Sequence, residues 1–279
     1  PDPLRAAMEG GDVLFPAAAV YASVAPGREQ EILDAGIRGT ETALRAAAEA
    51  GVRKVVLTSS VITLPFTARG AAPVDERDWT RDLRVPYIRA KTEGEQLAWR
   101  RARELGLDLV TVLPGAMLGP GFRRNTPSID AVETMERGGL RLGVPDMNFP
   151  LVDVRDVAAA HLLAAQQDVE GRFAIVNDVQ PSMRDMLETL HAIDPAIGKP
   201  LTTMPRFLSK LLPLMDRLNA KRLGTPQTLS DELAGSLLGG RDLLARVGRR
   251  VQAAEEVGVV HAVDSRPRLH PAPLPGAYV

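Results

Sequence analysis

The 279-residue chain, 45% hydrophobic and 25% charged, has an ordinary globular composition and enough length to bury a substantial core. Its formal net charge of -1, with no long basic run, excludes the electrostatic footprint of a nucleic-acid or anionic-membrane partner and points to a small molecule. Cysteine is absent, which excludes disulfides and thiolate chemistry, and the four histidines (161, 191, 261, 270) lack ligand spacing, so no metal site is expected.

In chain order, the apolar run after Gly10-Gly11 (Val13-Leu14-Phe15, then Ala17 to Val20) reads as a buried strand entering a small-residue loop. Residues 28–50 carry Ile32, Ile37, Leu44 and Ala48 among charges and predict a helix closed by Gly51. Arg53 to Leu57 is a second strand, stopping at Thr58-Ser59-Ser60. Its hydroxyls then stand at a strand's C-terminal end, where open α/β sheets place ligands.

A polar, irregular segment (65–84) leads to a helix over 86–105, whose start suits Pro86. Leu107 to Leu113 is a third strand, broken by Pro114-Gly115. Val152-Asp153 opens a helix over 154–166, and Gly171 to Val176 is a further strand. Strand alternating with helix predicts a parallel, doubly wound α/β sheet of Rossmann type. Beyond residue 178 the pattern turns helical and proline-punctuated. Ser182 caps a helix to about 193, Pro205 leads into a helix over Phe207–Leu223, and 241–260 is weakly helical. Residues 265–279, with four prolines and no periodicity, read as an unstructured tail. The expected organisation is a partial dinucleotide-binding domain (1–177), a smaller substrate-side lobe, mainly helical (178–264), and the tail. No stretch reaches the ~18 apolar residues of a membrane helix, and the first residues do not resemble a signal peptide, so the expectation is a cytoplasmic protein.

Tyr87-Ile-Arg-Ala-Lys91 carries the chemistry. On a helix, i and i+4 share a face, so the Lys91 ammonium can lie beside the Tyr87 phenol and favour its ionised form, and a tyrosine tuned that way serves as general acid or base. With three tyrosines and five lysines in the chain, such a pair arises by chance about 0.05 times. The plainer reading is an exposed helix whose Lys91 pairs with Glu95 four residues on.

Asp12-Val13-Leu14-Phe15, Gly39-Thr40, the run Gly51 to Ser60, Trp79-Thr80, Tyr87-x-x-x-Lys91, Pro114 to Pro120, Val152 to Ala158 and Pro205 to Leu208 follow one another in the order of the extended short-chain dehydrogenase/reductases. The chain resembles that family (NAD-dependent epimerase/dehydratase), most of all its dihydroflavonol-4-reductase-like aldehyde and ketone reductases. The resemblance implies a Ser-Tyr-Lys mechanism with NADP(H) or NAD(H): Tyr87 donates a proton to the carbonyl oxygen, Ser60 hydrogen-bonds it, and Lys91 binds the nicotinamide ribose. Ser59 is the rival for the serine role. Pro114-Gly115-Ala116 resembles the segment whose backbone lines the nicotinamide pocket, with Gly115 permitting close approach; by itself Pro-Gly is a turn signal. Asp153 and Asp156 match the family pattern but are read as a helix-start carboxylate satisfying free amide groups and a surface ion pair with Arg155 or a neighbour. Met135, Leu140, Leu142, Met147 and Phe149 are read as core more than as pocket.

Three departures stand against the resemblance. The family's opening strand, glycine-rich turn and helix have no counterpart, Pro16 replaces a common histidine, and Gly36 replaces an asparagine that many members use to organise a relay water. The expectation is an N-terminally incomplete member. Alternatives are a catalytically inactive remnant acting at most as a binding module, and a sugar-nucleotide epimerase or dehydratase. The implied partner is a small-molecule carbonyl compound, and a homodimer stays open.

Overall fold

The computed structural model describes residues 3–19, 29–68, 74–122, 126–141, 143–204 and 241–243, with Leu214, Arg217, Leu218 and Lys221. Leu142, most of the helix expected over 207–223 and the tail 265–279 lie outside them. In chain order the elements are α1 (Pro3–Met8), β1 (Val13–Leu14), α2 (Glu29–Glu49), β2 (Lys54–Thr58), β3 (Phe66–Ala68), α3 (Pro86–Leu105), β4 (Asp108–Pro114) and β5 (Ala116–Leu118). They continue with α4 (Pro127–Glu136), β6 (Val144–Pro145), β7 (Leu151–Asp153), α5 (Val154–Gln166), β8 (Gly171–Ile175), α6 (Met183–Ile193), β9 (Thr203–Met204) and β10 (Arg241–Leu243).

Among the described residues the central sheet is four-stranded and parallel, in the order β1-β2-β4-β8. Its strands are short and apolar because both faces are covered, as parallel sheets require. Alternation along the strands divides the side chains. Val55, Leu57 and Leu109 face α2 and α3, meeting Leu44, Ala47, Ala98 and Ala102. Val56, Val110 and Val112 face α5 and meet Ala164. Burying each such valine or leucine stabilises the fold by about 1.5–3 kcal/mol.

Two close approaches fix the frame around α3. The helix starts with Pro86 in its first turn and ends at Gly106, whose φ of 67° is left-handed and whose N–H donates to the Ala102 carbonyl. Along its length it crosses α2 almost backbone to backbone. A Cβ on Gly36 would stand 2.9 Å from the Ala90 Cβ, and one on Gly94 would stand 2.5 Å from the Gly36 carbonyl oxygen. Glycine at both positions is therefore a packing requirement, which accounts for Gly36 where many members of the resembled family keep asparagine.

The helices expected over 28–50, 86–105, 154–166 and 182–193 and the strands expected over 53–57, 107–113 and 171–176 form with shifts of one or two residues. Ser182 closes a capping box with Asp185 at the start of α6. Met135 and Met147 are buried in a cluster with Val144, Met183 and Leu187, and Leu140 and Phe149 pack against it, so these residues are core. Three expectations need correcting. The strand read as buried after Gly10-Gly11 is only Val13–Leu14, half-buried, with Phe15 exposed. The irregular segment 65–84 contains β3, and the start of the weakly helical segment 241–260 is instead β10, which pairs antiparallel with β3. Strand pairing between segments so distant in sequence outweighs local propensity.

Candidate active site at the C-terminal end of the sheet

β2 delivers Thr58, Ser59 and Ser60 to the C-terminal edge of the sheet, and the chain then turns through a single 3-10 turn, Val61–Thr63, capped by Ser60. The two serines have different fates. Ser59 is buried, and its hydroxyl donates to Glu95 Oε2 at 2.5 Å. Ser60 is half-buried, and its oxygen accepts from the Ile62 N–H at 3.4 Å, which leaves its own O–H proton to donate elsewhere.

Tyr87 lies in the first turn of α3, half-buried against the cluster of Val61, Leu64, Val85 and Ile88. One turn on, the Lys91 ammonium donates to the Thr58 carbonyl oxygen at 3.1 Å. That bond ties the helix start to the strand end and leaves two of the three ammonium N–H donors for other acceptors. Burial pushes the Lys91 ammonium down to about 8, only partly opposed by the negative field of Glu95. The pairing of Lys91 with Glu95 considered from sequence is not the arrangement found: Glu95 is buried and ion-paired to Arg172, with Arg172 Nε 2.8 Å from Glu95 Oε1.

The tripeptide Pro114-Gly115-Ala116 sits at the end of β4, on the same edge of the sheet. Gly115 donates to the Ile175 carbonyl and Ala116 to the Pro150 carbonyl. A side chain at 115 would collide with the Pro150 carbonyl oxygen, so the close approach that Gly115 permits is first of all that of the chain itself. Asp153 caps α5 by accepting from the Arg155 N–H, and its carboxylate pairs with the Arg155 guanidinium at 2.6 Å, as the plainer reading held.

Sequence reasoning missed the polar core behind the site. Glu95 Oε1 accepts from Thr111 Oγ1 and Arg172 Nε, and Arg172 reaches Thr63 Oγ1 and the Glu76 and Asp78 carbonyls while its guanidinium stacks 3.6 Å over the Trp79 ring. A signal existed. Alternation along β8 puts Arg172 on the same face as buried Ala174, and the register sets it beside Thr111, an internal polar position on β4.

As to a dinucleotide, the donor set at this edge, an ammonium with two uncommitted N–H groups and hydroxyls of Tyr87 and Ser60, suits a nicotinamide ribose and a substrate carbonyl. No glycine-rich strand-turn-helix for a pyrophosphate occurs among the described residues. Among the described residues, no helix is long and apolar enough to cross a membrane.

Residues 1–177 match the model of the NAD dependent epimerase/dehydratase family. The chain is 30% identical over 221 residues to "Sterol demethylase protein B" of Methylococcus capsulatus, covering 78% of this chain and 66% of that protein. It is 31% identical to cinnamoyl-CoA reductase 1 of Arabidopsis thaliana, covering 63% of this chain and 53% of that protein. Among these and similar curated relatives the chain spans 45–66% of their length. In fold, it superposes on the crystal structure of gox2253 with a TM-score of 0.73 at 23% identity, covering 92% of this chain and 76% of that one. Vestitone reductase from alfalfa gives 0.57 at 19% identity, covering 92% and 80%.

Proposed function

The chain belongs to the NAD dependent epimerase/dehydratase family, and from that premise we propose that its site reduces an aldehyde or ketone to an alcohol with NADP(H) or NAD(H). The observation that supports this most is the Lys91–Thr58 bond, which sets a cation beside the strand-end serines with Tyr87 one helical turn away. The names of the curated relatives, cinnamoyl-CoA and tetraketide alpha-pyrone reductases, favour carbonyl reduction within the family.

When bound, the nicotinamide supplies hydride to the carbonyl carbon. The chain's own groups handle the oxygen, on which negative charge develops. Tyr87 gives it the phenolic proton, converting the nascent alkoxide to the alcohol. Ser60 donates its free O–H to the same oxygen, and preplaced donors of this kind act where the charge appears. Lys91 holds the ribose hydroxyls through its two remaining donors, and its positive charge favours proton loss from Tyr87. Pro114, Gly115 and Ala116 offer a backbone surface on the same edge for the nicotinamide. In this reading residues 1–177 carry the cofactor and the segment after 178 the substrate side.

The test is reduction of cinnamaldehyde, 4-nitrobenzaldehyde and a 3-ketosteroid at millimolar NADPH, with Tyr87→Phe alongside. The proposal expects turnover of at least one carbonyl, lost in Tyr87→Phe with cofactor affinity retained. Turnover undiminished in Tyr87→Phe would remove Tyr87 from the acid role.

A further inference from the structure

The Glu95–Arg172 pair is the most buried charge pair among the described residues, with side-chain exposures of 1% and 7%. Breaking such a pair by removing one partner is strongly destabilising, yet an apolar replacement of both is often as stable, so stability alone does not explain its presence. Its connections do.

The five N–H donors of the Arg172 guanidinium all meet acceptors. Nε donates to Glu95 Oε1, Nη2 to Thr63 Oγ1 and, at 3.4 Å, to Glu95 Oε2, and Nη1 to the carbonyls of Glu76 and Asp78. One side chain on β8 therefore joins the turn after Ser60, the loop that runs on towards Tyr87, and α3. Thr80 N–H closes the same loop onto the Thr63 carbonyl at 2.8 Å. Glu95 completes the frame from the helix side, one turn beyond Lys91, by accepting from Ser59 and Thr111. Every segment that presents a proposed reacting group is thus tied to this pair.

We infer that Glu95 and Arg172 are positioning residues of the candidate site, holding the Ser59-Ser60 turn and the first turns of α3 in fixed relation. The inference rests on the proposed carbonyl reduction for its catalytic meaning, but not for its physical content. Neither residue touches a reacting atom in this scheme. Displacing a reacting group by about 1 Å can cost on the order of 100-fold in rate.

The test compares the wild-type chain with Arg172→Lys, which keeps the charge but loses the five-donor fork, and with Glu95→Gln. Backbone hydrogen exchange followed by mass spectrometry should quicken about tenfold or more in peptides covering 59–64 and 75–91 while α2 is unchanged, because the loss is local. With NADPH and 4-nitrobenzaldehyde, kcat should fall roughly 10- to 100-fold with both KM values within about twofold. Exchange that is unchanged or quickens uniformly, or a loss confined to KM, overturns the inference. If either variant fails to fold, Glu95→Asp, shorter by one methylene, gives the same comparison. If the wild-type chain reduces no carbonyl, the reaction reading fails while the exchange pattern still decides the positioning role.

Discussion

The Lys91 ammonium donates to the carbonyl oxygen of Thr58, 33 residues earlier in the chain, and not to the carboxylate of Glu95, four residues later on its own helix. The competing pair is absent because Glu95 turns to the sheet and is held by Arg172, Thr111 and Ser59. A lysine on an amphipathic helix thereby becomes a cation fixed at a strand end, where the proposed role beside Tyr87 requires it.

The ammonium of Lys91 titrates near 8, lowered from 10.5 chiefly by burial. It is cationic below that pH and neutral above it, so the rate of carbonyl reduction should fall with unit slope as pH rises through about 8. The sign for stability is opposite. Between about 8 and 10.5 the unfolded chain binds more protons at this lysine than the folded one, so this group's contribution to stability rises with pH across that window. The check is a carbon-13 titration of the lysine ε positions, with the Lys91 signal identified by its loss in Lys91→Met. Titration of that signal at 10 or above contradicts the expectation.

Ser60→Ala should lower kcat about 100-fold and leave stability nearly unchanged, since it removes a donor to the developing oxyanion and only a long local bond. Ser59→Ala should act first on stability, with a smaller fall in kcat through the loosened turn. It strips a buried carboxylate of one hydrogen bond and should destabilise the fold by about 1–3 kcal/mol. Urea unfolding and steady-state kinetics on both variants separate the two serines, and equal losses in kcat would reopen the choice between them.

Gly94→Ala should destabilise by about 1–3 kcal/mol, because its Cβ would meet the backbone of Gly36 and force α2 and α3 apart. Gly36→Asn, which would introduce the residue that many members of the resembled family carry there, should likewise lose stability rather than gain activity. Thermal unfolding measures both. A Gly36→Asn chain as stable as wild type and more active would show that the crossing can open.

Asp153→Ala should cost about 1 kcal/mol as a lost helix cap. The Arg155 guanidinium holds the Asp153 carboxyl below its ordinary value, so its stabilising effect is present above the unfolded carboxyl's range and disappears as pH falls through the folded one. The difference in urea midpoint between wild type and Asp153→Ala should therefore shrink in strong acid. A difference that holds constant down to strong acid would detach the cap from this carboxylate.

Much of the frame was legible in the sequence, because local signals and burial agreed. Pro86 marks the start of α3, Ser182 caps α6, and the largely apolar runs of β2 and β4 are what a parallel strand covered on both faces demands. Tyr87 and Lys91 could be singled out because helical spacing alone puts them on one face. β10 could not be read this way, since its strand state comes from pairing with β3 far away in the chain.

Which neighbour each charge would take was beyond reach of the linear pattern. Glu95 lies four residues from Lys91, and Arg172 lies 77 residues from Glu95, yet the latter pair forms, because β4 and β8 align Thr111 beside Arg172 on the face that α3 covers. Ser59 and Ser60 are adjacent and chemically identical, and only the fold divides them, turning one hydroxyl inward to a carboxylate and leaving the other with a proton to give. Periodicity reports which side of an element is buried; what stands opposite that side is set by how the elements are stacked.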